Sequence, residues 1–406
     1  MRRSIVFLNV AAAVVLAGTA RADFVLSGTE HLDVDIIHNT GVLWDSSSVN
    51  VFSNTIYDLY AHNNSNVNVF GESAYGFGGH VYDLYAYDNS NVNIFGGTIV
   101  SHLAANDSSK VNVSGGTVSS KINASGASNV NISGGSIGDG LFVNDTSSVN
   151  ISGGMVWSLT AYDTSSVDIS GGSVGGWLSA RNTSSIDISG GMISSYNTYL
   201  GAYDTGSITF HGYDFRATGG LTLNGEKVLG AGLLTGKWSD GMSWVATIHE
   251  TTPDATIQAA VLAPSVASFA GAPTLVHEID FGTVNPGDSV PGEPFAIWNL
   301  ADPKWSMNLD LLSMVGSGDT GLLTASLSPF TDLAAGQSHS FTAWIDTSTP
   351  GDFAASYVLN LSDRLGTGQT LTLNLRASVV PEPSTLILLA TGTLGLTAAW
   401  WRHRRR

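Results

Sequence analysis

Carboxylate and amide side chains recur at one fixed position along the first half of the chain, and stacked carboxylates there would suit Ca²⁺. The position lies four residues before the anchor, which we define as the first hydrophobic residue of a recurring Ser-x-Val-Asn-Val pattern. Asp and Asn equally suit turns in which the side chain bonds its own backbone two residues on. Because Gly126, which has no side-chain ligand, occupies one place, we predict turns and no metal site. The column is Asp45, Asn63, Asp88, Asp107, Gly126, Asp145, Asp163, Asn182 and Asp204.

Asn and Ser fill two outward positions after most anchors, one and three residues later. Such a flat lattice would offer regular polar spacing to a polymer such as polysaccharide, or to ice. A solvated face stabilised by stacked amides explains the same pattern, and we favour it; the Thr-x-Thr rows expected of an ice-binding solenoid are absent. The candidate ligand face is Asn112, Asn131, Asn150, Ser114, Ser133 and Ser152.

Aromatic residues form a third recurring set, close to a Leu-x-Ala pattern that precedes each anchor. A sugar ring could stack on such a stripe, although packing under loops is the interpretation that we favour. The residues are Tyr60, Tyr85, Tyr87, Trp157, Tyr162, Trp177 and Tyr203.

Catalytic motifs occur only as fragments. Residues 134–138 and 171–175 match G-x-S-x-G without the strand-to-helix elbow, and residues 316–321 match G-x-G-x-x-G without a following helix. The histidines are scattered, and the repeats offer only Lys110, Lys121 and Arg181 as basic residues. We therefore predict no enzymatic activity, no cofactor and no metal. The alternative is a β-helix polysaccharide lyase or hydrolase, which needs convergent carboxylates and bases.

Composition excludes several other classes of protein. The 406 residues include no Cys, so disulfides and thiolate chemistry are excluded, and the net charge of −17 argues against nucleic-acid binding. The hydrophobic content of 43% is too high for a disordered acidic chain. All 11 prolines lie between Pro253 and Pro383, which indicates two different kinds of structure.

The repeats themselves predict the fold of the first part. Alternation of inward hydrophobic and outward polar residues predicts short strands, and Gly-Gly and Asp-Thr-Ser-Ser supply corners. One repeat cannot bury its apolar side alone, so stacked repeats, here called rungs, predict a parallel β-solenoid over residues 23–225. It has about nine rungs of about 19 residues, anchored at Val49, Val67, Val92, Val111, Val130, Val149, Val167, Ile186 and Ile208.

The period is lost in the second part. Residues 233–245 predict a hairpin with an Asp-Gly turn that caps the solenoid, so we assign residues 226–272 to a capping hairpin and a linker. Seven strand-like runs over residues 273–379 are spaced as in a β-sandwich. They begin near Leu275, Phe295, Leu309, Leu323, His339, Tyr357 and Leu371.

Both termini look like targeting segments. Residues 1–22 combine two arginines, an apolar stretch and a small-residue cleavage site formed by Ala20 and Ala22, which is typical of a signal peptide. Residues 385–401 are mostly apolar and are followed by an Arg-rich end, which predicts a transmembrane helix with a cytoplasmic terminus.

The C-terminal segment, residues 380–406, also resembles the PEP-CTERM sorting signal. Pro381, Glu382 and Pro383 are followed by the apolar stretch and the Arg cluster, in that order. The resemblance implies export by a Gram-negative bacterium, recognition by an exosortase-type membrane protease and association with exopolysaccharide.

A second, more local resemblance lies in the sandwich. Residues 279–284 read Ile-Asp-Phe-Gly-Thr-Val and precede Pro286-Gly287, while Leu333-Ala-Ala-Gly336 precedes Phe341. This pattern resembles Ig-like modules of the abnormal-spindle/hydin type and implies a spacer or adhesive module without catalysis.

These inferences give one coherent hypothesis. The chain is an all-β protein with a solenoid, an Ig-like β-sandwich and a C-terminal transmembrane helix. We expect a structural or adhesive protein of the cell surface or extracellular matrix, anchored in the membrane at least transiently. Its expected partners are an exosortase-type protease and extracellular polysaccharide, with no nucleic acid.

Overall fold

A computed structural model describes residues 24–34, 37–52, 55–71, 78–193, 199–380 and 400–401. All 39 named elements of this part of the chain are β-strands, which confirms the all-β class. The Cα positions group into two compact units. The first holds the solenoid with residues 249–256, and the second holds residues 209–248 and the chain from 257 onward.

The first unit confirms the β-solenoid of about nine rungs. Short strands stack in register on their equivalents one rung away, so that Val130 pairs with Val111 on one side and Val149 on the other. The solenoid strands are β1 (Phe24–Leu26), β2 (His31–Val34), β3 (His38–Leu43), β4 (Ser48–Val51), β5 (Thr55–Ala61), β6 (Asn66–Val69), β7 (His80–Ala86), β8 (Asn91–Ile94), β9 (Thr98–Ala105), β10 (Lys110–Val113), β11 (Thr117–Val118), β12 (Lys121–Ala124), β13 (Asn129–Ile132), β14 (Ser136–Ile137), β15 (Gly140–Val143), β16 (Ser148–Ile151), β17 (Met155–Val156), β18 (Leu159–Ala161), β19 (Ser166–Ile169), β20 (Ser173–Val174), β21 (Trp177–Ala180), β22 (Ser185–Ile188), β23 (Met192–Ile193) and β24 (Tyr199–Ala202).

The strands form two faces. The strands that carry the first eight anchors, together with β2, make one parallel face, here called sheet B, which contains β2, β4, β6, β8, β10, β13, β16, β19 and β22. The other strands make sheet A, and the Leu-x-Ala pattern lies in it. In the later rungs the sheet-A segment is split into two short strands, whereas in β5, β7 and β9 it is continuous.

The solenoid core consists of columns of identical position. All nine anchors are at most 1% exposed, and the leucine or isoleucine eight residues before each of the last eight anchors is fully buried. Each rung therefore buries its apolar residues against those of its neighbours, as stacked repeats require. The structure adds one row ahead of the first predicted anchor, because Leu32 of β2 pairs with Val49.

The second unit begins with residues that follow the solenoid. Strand β28 pairs with β29 as an antiparallel hairpin over residues 232–248, with Asp240 and Gly241 in its turn. The strands of this region are β25 (Ser207–Thr218), β26 (Thr222–Asn224), β27 (Lys227–Leu229), β28 (Gly232–Lys237), β29 (Ser243–Thr251) and β30 (Thr256–Val261). Strand β30 lies within the span expected to be a linker, and the capping role of the hairpin stays a prediction.

Two sheets form a β-sandwich in the rest of this unit. One has the order β31, β33, β37, β35 and the other β32, β39, β38, β34, β36. Residues from both sheets, including Ile297, Leu323, Leu359 and Leu373, are fully buried between them. The strands are β31 (Ala267–Ser268), β32 (Val276–Val284), β33 (Glu293–Asn299), β34 (Leu309–Gly318), β35 (Leu323–Ala325), β36 (Phe330–Leu333), β37 (Ser338–Ile345), β38 (Gly351–Ser362) and β39 (Gln369–Val379).

The targeting segments fall largely outside this description. The signal peptide with Ala20 and Ala22, the motif Pro381, Glu382 and Pro383, and nearly all of residues 385–401 lie outside the described residues. Within the described residues, no helix has the length and apolar character needed to cross a membrane.

Candidate functional site

The Asp/Asn column occupies the corner that leads into each sheet-B strand. Its Asp and Asn residues all have φ between 55° and 61°, and Gly126 has φ 67°. This left-handed region favours Gly, Asn and Asp over other residues, so the predicted turn is confirmed.

The hydrogen bonds of this column differ from the Asx turn that we expected. Asp107 Oδ2 accepts the backbone N–H of Asp88 at 3.1 Å, and Asp145 Oδ2 accepts that of Gly126 at 2.8 Å. Each carboxylate thus bonds the preceding rung and not its own backbone two residues on. The expectation was wrong on this point, because a side chain at the corner of a solenoid can also reach the backbone of the preceding rung. Within the described residues, no three His, Asp or Glu side chains are grouped to hold a metal ion.

The Asn column of sheet B is a continuous amide ladder. The Nδ2 group of Asn131 donates to Asn112 Oδ1 at 3.0 Å, and that of Asn150 donates to Asn131 Oδ1 at 2.9 Å. The same bond at 2.9 Å links Asn50, Asn68, Asn93 and Asn112 in series. These amides therefore use part of their hydrogen-bonding capacity in bonds to one another.

The Ser column beside this ladder is more open. Ser114, Ser133 and Ser152 are exposed, and Ser133 Oγ makes one long bond of 3.5 Å to the Val113 carbonyl. The structure thus brings the six predicted ligand-face residues together as a flat surface. Whether that surface binds a polymer stays a prediction.

A buried serine column, two residues before each of the first eight anchors, was missed by sequence reasoning. Ser147, Ser165 and Ser184 are at most 1% exposed, and Ser165 Oγ donates to the Val143 and Tyr162 carbonyls. The Ser that recurs two residues before eight of the nine anchors was the available signal. We assigned it to the Asp-Thr-Ser-Ser corner, and serine is mostly exposed in proteins.

The aromatic residues of sheet A stack on one another across rungs. The rings of Tyr60 and Tyr85 are 5.0 Å apart and those of Tyr57 and Tyr82 are 4.8 Å apart, both nearly parallel. His62 lies between Trp44 and Tyr87 in a third stack, at 4.2 and 4.9 Å. Of the seven residues in this set, Tyr60, Tyr85 and Tyr87 thus stack on rings of neighbouring rungs.

A groove opens where one of these aromatic columns is interrupted. The register places Ala104 directly after Tyr85, followed by Asn123 and then Phe142. An open space of about 530 Å³ lies beside Ala104, and the His102 ring, 6.1 Å from the Tyr85 ring, borders it. The groove is lined by Tyr85, Tyr87, His102, Ala104, Asn106, Lys121, Asn123, Ser125, Phe142 and Asn144.

The groove has a distinctive polar side. Lys121 and His102 pair in register on adjacent rungs, and Asn123 Nδ2 lies 2.9 Å from His102 Nε2. Burial lowers the pKa of the His102 imidazole and the Lys121 ammonium lowers it further, while Asp83 opposes both. His102 is therefore neutral at physiological pH.

Acidification should destabilise the solenoid through this histidine and His62. Burial also lowers the pKa of His62, against the opposing effect of Asp88. Both imidazoles bind a proton more readily in the unfolded chain, so stability is present above the unfolded pKa and falls as the pH drops below it. We expect the free energy of unfolding, measured with urea, to fall between about pH 7.5 and about pH 5.5. His102→Gln should reduce that fall, whereas an undiminished fall in the variant would contradict the assignment.

Comparison with known proteins identifies one segment. Residues 379–405 match the PEP-CTERM protein-sorting motif. No curated protein matches the chain.

Matches to solved structures are distant. They include the ASH / PapD-like domain 7 of human CEP192, at 12% identity and a TM-score of 0.23, covering 29% of this chain and 87% of that one. The Vibrio cholerae VesB protease matches at 16% identity and a TM-score of 0.20, covering 28% of this chain and 32% of that one. The periplasmic chaperone SfaE matches at 10% identity and a TM-score of 0.20, covering 26% and 60%. Likenesses this distant carry no argument about function.

The C-terminal match joins the residue pattern of Pro381, Glu382 and Pro383 to a known sorting signal. Proteins with this signal are exported and processed by exosortase. The chain is therefore an exported, envelope-associated protein that combines a PEP-CTERM sorting motif with a β-solenoid.

Proposed function

We propose that this protein is a structural or adhesive component of the cell surface or matrix that binds extracellular polysaccharide. The observation that carries the proposal is the groove at Ala104, which lies on the outer face of the solenoid among stacked rings. Ligand sites are concave surfaces with apolar walls and a few placed polar groups, and this groove has both.

The lining suits a sugar better than an apolar ligand. Tyr85 and Phe142 are aromatic residues at the two ends of the groove, and Asn106, Asn123 and Asn144 line it with amide groups. A pyranose presents an apolar ring face and a rim of hydroxyl groups, so both sets of side chains find a counterpart. The Asn-x-Ser face of sheet B stays the second candidate, since its amides bond one another, as the groove amides bond their own neighbours.

The other parts of the chain have supporting roles in this proposal. The β-sandwich acts as a spacer of the Ig-like abnormal-spindle/hydin type. Residues 385–401 hold the protein in the membrane of a Gram-negative bacterium until exosortase cleaves the tail.

Binding without catalysis is the form of the proposal that the groove supports best. Among the described residues that line it, none is Asp or Glu, whereas glycoside hydrolysis uses a pair of carboxylates. The alternative function, that of a polysaccharide lyase or hydrolase, is tested with the same purified protein and glycans. Shortening of a bound glycan by the purified protein would favour the enzyme.

Filling the groove should abolish polysaccharide binding. Ala104→Tyr continues the Tyr60 and Tyr85 column and places a ring in the open space. We expect loss of glycan-array binding by the purified full chain, with at least a tenfold lower affinity for each hit. Circular dichroism and thermal unfolding check the fold of this variant, because Ala104 is 8% exposed and the new ring lies next to the contact between His102 and Asn123.

Thr160→Tyr is the matched control. Thr160 follows Phe142 in the same outward column, so the variant adds the same ring beyond the groove. Its binding should be unchanged. If the unaltered protein binds no glycan, or if Ala104→Tyr binds as well as the control, the groove is not the site.

A further inference from the structure

The groove has the opposite charge character to the rest of the chain. The chain has 33 acidic and 16 basic residues and a net charge of −17. The described residues of the groove include Lys121 and His102 and no acidic residue. A lysine placed in such a groove marks the site for a ligand that supplies negative charge or strong acceptors.

The polar groups of the groove come from two columns of sheet A and from the corner that follows its strands. Lys121 and His102 lie on one side, and Asn106, Ser125 and Asn144 lie on the other. Ser125 Oγ donates to Asn106 Oδ1 at 2.8 Å, which fixes the carbonyl end of that amide. Asn123 lies in the outward column between these two sides, next to His102. Lysine and amide N–H groups are donors to a carboxylate, and the ammonium makes the stronger, charge-assisted bond.

We propose that the groove selects a carboxylated sugar, a uronate unit of an acidic polysaccharide, with the carboxylate on Lys121 and the sugar chain running along the column from Tyr85 to Phe142. The inference rests on the proposed polysaccharide binding and names the class of sugar that is bound.

Charged residues near the groove affect the binding of an anionic sugar. Asp83 lies on the strand before His102, on the far side of it from Lys121, and Asp139 directly precedes Gly140, which pairs with Lys121. Repulsion between the acidic chain and a polyanion is screened beyond about 8 Å at physiological ionic strength. The interaction between a bound carboxylate and the Lys121 ammonium acts within that distance. Because an acidic surface does not adsorb polyanions nonspecifically, uronate binding by this protein would have to come from a local site.

The experiment compares three oligosaccharide probes on the purified full chain by isothermal titration calorimetry. They are oligogalacturonate, its methyl ester, which keeps the ring and removes the charge, and a neutral galactan oligosaccharide. We expect oligogalacturonate to bind roughly tenfold more tightly than its ester, since a hydrogen bond to a charged group is worth that much. Lys121→Gln should abolish the preference, and Lys121→Arg should retain it.

Lys110→Gln is the matched control for net charge. Lys110 is exposed on sheet B, so its removal changes the total charge equally without touching the groove. It should leave the preference intact. Equal binding of the acid and the ester, or an unaltered preference in Lys121→Gln, would overturn the uronate assignment while leaving polysaccharide binding in place. If none of the probes nor any arrayed glycan binds, both proposals are wrong.

Discussion

Asn131→Pro is expected to lower the free energy of unfolding of the solenoid by about 3 kcal/mol or more. Asn131 lies in the middle of β13, which pairs with β10 on one side and β16 on the other. Proline has no N–H, so one ladder bond is lost and the carbonyl that accepted it is left without a partner. The outward side chain keeps the core residues Val130 and Ile132 in place, so the effect reports on the backbone.

Asn131→Ala is the control for the side chain. It removes the bond to Asn112 and the acceptor for Asn150 but keeps the backbone N–H. We expect it to cost about 1 kcal/mol, clearly less than proline. Urea unfolding of the full chain followed by circular dichroism measures both, and hydrogen exchange of the neighbouring rungs locates the change. Equal stability of the two variants would mean that the ladder bond at this position contributes nothing.

The same reasoning explains where the chain uses proline. Strands inside the solenoid have neighbours on both sides, and the first 252 residues contain no proline. In the sandwich, Pro294 lies in β33 opposite Thr342 of β37. The described pairing of β33 with β31 involves only Trp298 and Asn299, so Pro294 has a partner strand on one side alone. Proline is tolerated at such edge positions.

The solenoid could be predicted because inward positions repeat without exception. A fixed period puts Val111, Val130 and Val149 in one buried column, and the register of the strands follows from it. The row at Leu32 was not predicted because its flanking sequence lacks the Ser-x-Val-Asn-Val pattern. Its residues, His-Leu-Asp-Val, nevertheless show the same alternation of polar and hydrophobic side chains.

Side-chain contacts between neighbouring rungs were harder to predict than the positions of the rungs in the sequence. The bond from the Asp88 backbone to Asp107 joins residues that are 19 apart, and a local turn rule does not include such a partner. The groove depends on a size difference between neighbouring rungs, because Ala104 replaces the tyrosine found at Tyr60 and Tyr85. Alignment of the outward columns by side-chain size would have exposed it. The sequence predictions used columns that repeat, whereas the candidate site lies where the repeat is broken.

The corner glycines give the second large expected effect. Gly153→Ala should lower the free energy of unfolding by about 2–3 kcal/mol, as overpacking of a tight interior does. A Cβ atom at Gly153 would lie 2.2 Å from the Ser133 carbonyl oxygen and 2.9 Å from its carbon. Both are backbone atoms of the preceding rung, so a rotamer change cannot relieve the clash. The rungs must separate at this corner, and the bond from Ser152 N to the Ile132 carbonyl lies directly beside it.

Ser152→Ala separates this clash from other effects of substitution at the corner. Ser152 is exposed and precedes Gly153, so the control adds no atom between rungs and should change stability by less than about 0.5 kcal/mol. Urea unfolding and hydrogen exchange of residues 132–135 distinguish the two variants. If Gly153→Ala proves as stable as the control, the backbones at the Gly-Gly corners have room to move apart. Close approach of neighbouring rungs would then not be the reason that glycine recurs there, and the recurrence would follow from the positive φ of the next residue, Gly154, alone.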